Sequence, residues 1–212
     1  MRFDELIKKV HNLPVIDTES LLAGGADARS IQVQISRWRR SGKPIKLKNN
    51  IYLLSKDLRK IEAHEFYIAS LLTKPSYISL EKALEYHGLI PDAVSVYTCV
   101  TTKRPRKITT PIGIFDYRHV KNNLFWGYRS LMIGKQLSFM AYPEKALLDF
   151  FYLRGLSINI DYLQEMRLQN LEELDLPRLV SFAKKFQSPG VIKVASLIER
   201  YALEYTGSGK DA

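Results

Sequence analysis

Residues 27 to 54 read DARSIQVQISRWRRSGKPIKLKNNIYLL, and few arrangements satisfy this run. At 100° per residue from Ala28, a helix puts Ala28, Ile31, Ile35 and Trp38 on one face and Arg29, Gln32, Val33, Ser36, Arg37 and Arg40 on the opposite one. One side is core and the other is offered to something. Asp27 is a natural N-cap for this helix, and Gly42 with Pro44 stops it. The next segment alternates Ile45 and Leu47 with Lys46 and Lys48 around Asn49-Asn50, a pair that tolerates the positive φ of a tight turn. The spacing predicts a short hairpin with a basic tip.

Upstream, Phe3, Leu6, Ile7, Val10 and Leu13 form one helical stripe over 3–13. A second short helix begins after Asp17 or Thr18 as cap, carries Leu21 and Leu22, and ends at Gly24-Gly25. Three helices and a hairpin within about 55 residues is the layout of a winged helix-turn-helix, whose third helix enters the DNA major groove while the wing touches the flanking backbone.

Beyond residue 60 the pattern changes. Helices are predicted over 62–73 and 79–88, the second with Ser79 as N-cap and Gly88 as its stop. Residues 93–140 are β-branched and aromatic segments broken by Gly, Pro and Asn, which predicts an antiparallel sheet of about four to six strands. Pro143 opens a helix over 143–154, further helices are predicted near 161–168, 176–187 and 190–205, and the last six or so residues are expected to fray. The fold class expected is α+β: an N-terminal winged helix over 1–60, then a domain over 61–212 with a mostly antiparallel sheet and several helices.

The net charge of +10 is unevenly placed: residues 1–60 carry +7, 61–96 carry −3, 97–135 carry +7 and 136–212 carry −1. Two basic blocks separated by near-neutral sequence point to polyanions. No apolar run is long enough to span a membrane and the N-terminus lacks a signal-peptide core, so a cytoplasmic protein without a membrane partner is expected. The single cysteine, Cys99, rules out an internal disulfide and a multi-cysteine zinc site. His11, His64, His87 and His119 are scattered, and there is no HxH, HExxH, Walker or nucleotidyltransferase motif. Arg59 and His64 fit an Arg-x4-His spacing found in some ribonucleases, a pattern loose enough to arise by chance. The expectation is therefore no enzyme, no metal and no cofactor.

A solvated helix normally mixes Glu with Lys, whereas residues 28–40 hold four arginines and no acid. These arginines repel one another unless an anion is present. Arg29, Gln32, Val33 and Ser36, toward the N-terminal end, are the candidates for base edges: Arg suits guanine, Gln adenine and Val a thymine methyl. Arg37, Arg40, Lys43, Lys46 and Lys48 are candidates for phosphates, which set affinity and register. The second block, Lys103, Arg104, Arg106 and Lys107, has two open readings. It is either a cationic strand edge that blocks aggregation or a second polyanion surface, which Arg118, Lys121 and Arg129 join if the sheet gathers them. In YPEKALLD, Lys145 is placed to pair with Asp149 at i,i+4, and Tyr77 and Ser79 read as fold determinants.

GKPIKLKNNIYLL, KPSYISLEKALEYHGLIP at 74–91, TTKRPR at 101–106, GIFDYRHV at 113–120 and AYPEKALLDFFYLRG at 141–155 stand in an order that resembles the AbiEi family of antitoxins. The resemblance covers about residues 5 to 155 in motifs and the remainder in helix pattern. It implies a winged helix joined to an antitoxin domain, repression of the protein's own operon through double-stranded DNA, with inverted repeats in the operator, and neutralisation of a nucleotidyltransferase-like toxin without a stable complex, the type IV arrangement. One departure stands out: the family's wing usually has Gly before the Tyr strand, so Asn50 must adopt the conformation Gly takes freely. Two alternatives remain open from the residues: a solitary winged-helix transcription factor, and an RNA- or toxin-binding module that works through the second block.

Overall fold

A computed structural model describes residues 3–9, 13–23, 27–155 and 159–208. The first elements are α1 (Phe3–Lys9), β1 (Val15–Asp17), α2 (Thr18–Ala23), α3 (Ala28–Arg40), β2 (Pro44–Lys48) and β3 (Ile51–Leu54). Both caps sit where the side chains predict them. The Asp17 carboxylate accepts from the Glu19 amide at 3.0 Å, and that of Asp27 from the Ser30 amide at 2.7 Å. Strand β1 leaves no mark in the sequence pattern, because three residues are too few for alternation to register. Val10 and the expected stop at Gly24-Gly25 lie outside the described residues.

The three strands form an antiparallel sheet in the order β1-β3-β2. Side chains alternate across a strand, so its neighbours enter different cores. Ile16 and Leu54 join Leu6, Leu21, Ile31 and Ile35 under the helices, while Val15, Leu47, Ile51 and Leu53 join the large cluster of residues 61–208. This accounts for the continuous apolar run IYLL, a strand covered on both faces. A fragment ending at residue 60 would leave those four side chains in water. It is expected to show no cooperative thermal transition by circular dichroism, whereas the full chain does; a cooperative melt of the fragment would contradict this packing.

The hairpin turns at Asn49-Asn50 with Asn50 at φ 69°, the left-handed conformation expected of it. Its alternation is not the one predicted. A register shift between Lys46 and Lys48 makes Leu47 an extra residue in β2, and Ile45, opposite Leu53 before the shift, is 41% exposed.

The rest of the chain contains α4 (Glu65–Leu72), β4 (Ser76–Ile78), α5 (Leu80–Tyr86), β5 (Val96–Thr101), β6 (Arg106–Thr110), β7 (Gly113–His119), β8 (Tyr128–Ile133), β9 (Gln136–Ala141), α6 (Pro143–Arg154), α7 (Ile160–Glu165), α8 (Leu176–Lys185) and α9 (Pro189–Ser208). The sheet order is β6-β7-β5-β4-β9-β8. It is mixed: β5–β7 and β4–β9 are parallel, the other three pairings antiparallel. The sheet is thus mostly antiparallel, as expected; the two parallel pairings are the departure, because alternation marks a segment as strand without naming its neighbour. β6 returns as a hairpin outside β7, leaving β7 to lie parallel to β5. Helix α9 continues to Ser208, so Gly207 and Ser208, expected to fray, belong to it. Among the described residues no helix is long and apolar enough to cross a membrane.

Candidate nucleic-acid interface

Helix α3 divides as its periodicity requires. Ile31 and Ile35 are buried, and Trp38, half-buried, meets the Phe3 ring edge-on at 5.1 Å. On the other side Arg29, Gln32, Val33, Ser36, Arg37 and Arg40 are all exposed, and Arg39, expected at the boundary, is exposed with them. Among the described residues none of the four arginines has a carboxylate within ion-pair distance. Arg37, Arg39 and Arg40 fall in the last turn, where the helix C-terminus favours cations by about 0.3–1 kcal/mol each. That term explains how the helix tolerates them; it does not account for Arg29 at the other end.

The hairpin lysines part company. Lys46 is exposed. Lys43 is half-buried, with its ammonium 4.5 Å from the centre of the Phe3 ring. Lys48 is not the free cation expected of a phosphate contact: its Nζ donates to the Leu72 carbonyl at 2.7 Å. That oxygen belongs to the last residue of α4, where carbonyls lack helical partners and attract a cation. Burial, then the nearby Arg106 charge, pulls the Lys48 pKa below its ordinary value. The turn is also fastened, since the Thr18 backbone amide donates to the Asn50 carbonyl at 2.9 Å and the Asn50 side-chain amide to Glu19 Oε1 at 3.1 Å. Of the two lysines on β2, Lys46 is therefore the exposed one.

The second basic block does not form one surface. Lys103 and Arg104 are exposed in the connection before β6, which is an outermost strand of the sheet. Arg106 stands opposite Tyr117, whose hydroxyl donates to the Ala69 carbonyl of α4 at 2.7 Å. Lys107 stands opposite Asp116 on the other face, over a cleft of about 590 Å³ shared with Arg118, Glu81 and Arg154. Arg118 is paired with Asp116 at 2.8 Å. Arg129 lies on β8 at the far edge, five strand spacings or about 24 Å away. Lys121 is exposed after β7. A cationic outermost strand is what the edge-blocking reading describes.

The segments SYISLEKAL and PEKALLD, about 65 residues apart in sequence, meet in the core. Lys145 and Asp149, one turn apart on α6, are both 0% exposed and form an ion pair. The Tyr77 and Ser79 hydroxyls each donate to Asp149 Oδ2 at 2.9 Å, and Lys145 Nζ donates to the Tyr77 oxygen at 3.0 Å. The ammonium also lies 4.9 Å from the Trp126 ring and 4.8 Å from that of Phe186. Gly127, at φ 75°, passes so close that a Cβ there would come within 2.9 Å of the Lys145 side chain. Burial pushes the Asp149 carboxyl up and the Lys145 ammonium down, and each partner opposes the shift of the other. Ser79 occupies the N-cap position of α5 without capping it, because its hydroxyl is spent on Asp149. This four-residue network is structural: all four side chains are buried, out of reach of a substrate in solvent.

Arg59 pairs with Glu62 at 3.2 Å, and His64 caps α4 by accepting the Phe66 amide at 3.2 Å. Cys99 is buried on β5, and burial pushes its thiol well above the ordinary range. Among the described residues no three His, Cys, Asp or Glu side chains gather as metal ligands. No protein-family model matches this chain, and no curated protein matches its sequence.

Proposed function

We propose that this protein is a DNA-binding repressor whose N-terminal unit is a winged helix, with α3 in the major groove and the β2–β3 hairpin as wing. The observation that carries the reading is α3 itself: four arginines with no carboxylate within ion-pair distance among the described residues, on a helix whose other face is anchored in a core. Such a face is repulsive until a polyanion fills it. Arg29, Gln32, Val33 and Ser36 read base edges; Arg37, Arg40, Lys43 and Lys46 hold phosphates. Autoregulation of a toxin-antitoxin operon, with neutralisation of a nucleotidyltransferase-like toxin and no stable complex, is proposed from the resemblance to AbiEi antitoxins.

The test is a mobility shift with DNA from upstream of the protein's own gene. A retarded band is expected, and charge reversal at Arg37 and Arg40 is expected to abolish it. Unchanged binding by the reversed variant rejects the assignment of that face. A neighbouring gene for a nucleotidyltransferase-like protein separates the antitoxin reading from a solitary transcription factor.

A further inference from the structure

A pocket of about 410 Å³ lies between α4 and the β8–β9 edge of the sheet. Its walls are apolar and mostly aromatic: Tyr67 and Leu71 from α4, Phe125 before β8, Tyr128 from β8 and Phe139 from β9. The rings hold one another in place. Tyr128 stacks on the buried Tyr77 at 4.6 Å, with Phe125 inclined to it at 5.2 Å and Phe139 edge-on at 5.9 Å. The Tyr77 hydroxyl is in turn fixed by Asp149, so this wall is backed by the buried ion pair. A preformed pocket within the usual volume of small-molecule sites, lined by rings at stacking distances, suits a flat aromatic body.

Its charged element is Lys74; the hydroxyls of Ser70 and Ser76, which also line it, donate to the Phe66 and Thr73 carbonyls. The ammonium meets Asp17 Oδ2 at 2.7 Å, and the side chain is 54% exposed. One of its three donors is engaged there, and two remain for a ligand. Burial tends to raise the Asp17 carboxyl, but the hydrogen bond and charge of Lys74 bring it below its ordinary value.

We propose that this pocket binds a planar aromatic carboxylate, its ring enclosed between Leu71 and the Tyr128–Phe139 wall and its carboxylate on the Lys74 ammonium. The inference is independent of DNA binding. Its test is isothermal titration of the full chain with 2-naphthoate and with the neutral 2-naphthalenemethanol. Naphthoate is expected to bind saturably. Leu137→Trp, at a pocket-lining position that is 42% exposed, and Leu71→Trp each fill the space and should weaken binding by about tenfold or more. Lys74→Gln should weaken naphthoate by about tenfold while leaving the alcohol within about twofold. Circular dichroism identifies any variant that fails to fold, and the exposed Leu137 position keeps a folded pocket-filling variant available. Absence of saturable naphthoate binding, or undiminished affinity in a folded tryptophan variant, overturns the site. Equal loss of both probes in Lys74→Gln overturns the carboxylate assignment.

Discussion

Asp149→Ala is expected to destabilise the fold by about 3–5 kcal/mol, and Lys145→Met by a similar amount. Each single change leaves a charge with no water and no counter-charge. After Asp149→Ala, the Lys145 ammonium keeps the Tyr77 oxygen and ring and the faces of Trp126 and Phe186. After Lys145→Met, the Asp149 carboxylate keeps two hydroxyl donors and no cation. Removing both charges together, as Lys145→Met with Asp149→Leu, removes both desolvation penalties at once. The double variant should therefore lose much less than the sum of the singles. Urea unfolding of the three variants checks this; single variants within about 1 kcal/mol of the parent would show that the pair is not closed to water. The same variants disturb the Tyr77–Tyr128 wall, so a change in ligand affinity accompanying the loss of stability is expected.

Charge reversal at Arg37 and Arg40 is the second large effect. Each phosphate neutralised by a cation contributes about 0.9 to the slope of log affinity against log salt. Four phosphate contacts, made by Arg37, Arg40, Lys43 and Lys46, give a slope of about −3.6 for one molecule on duplex DNA. Arg37→Ala with Arg40→Ala should reduce it by about 1.8, and reversal to Glu adds repulsion that removes binding near physiological salt. Lys48→Ala is the internal control. Because its ammonium is committed to the Leu72 carbonyl, its loss should leave the slope unchanged. A slope that falls by about 0.9 in Lys48→Ala would return that residue to the phosphate set.

Much of the fold is legible in the residues. The two faces of α3, the caps at Asp17 and Asp27, the turn at Asn49-Asn50, the helix opened by Pro143 and the i,i+4 pair of Lys145 with Asp149 all depend on residues close in sequence. The positive φ of Asn50, required by the absence of Gly, is present. Strand partners are not legible. Neither is the register shift in β2, which needs its pairing with β3, nor the aromatic pocket, whose walls come from α4 and from strands some 60 residues later.

Local periodicity and capping chemistry determined most of the helices and strands, the three-residue β1 and β4 excepted, and which side of α3 is charged, because backbone geometry repeats over a few residues. Tertiary packing alone decided that Lys48 reaches back to α4, that Arg106 and Lys107 part to opposite faces of an edge strand, and that Tyr77 and Ser79 meet Asp149. Each of these depends on which distant carbonyl, ring or carboxylate lies opposite, and burial makes an unpaired polar atom too costly to leave alone.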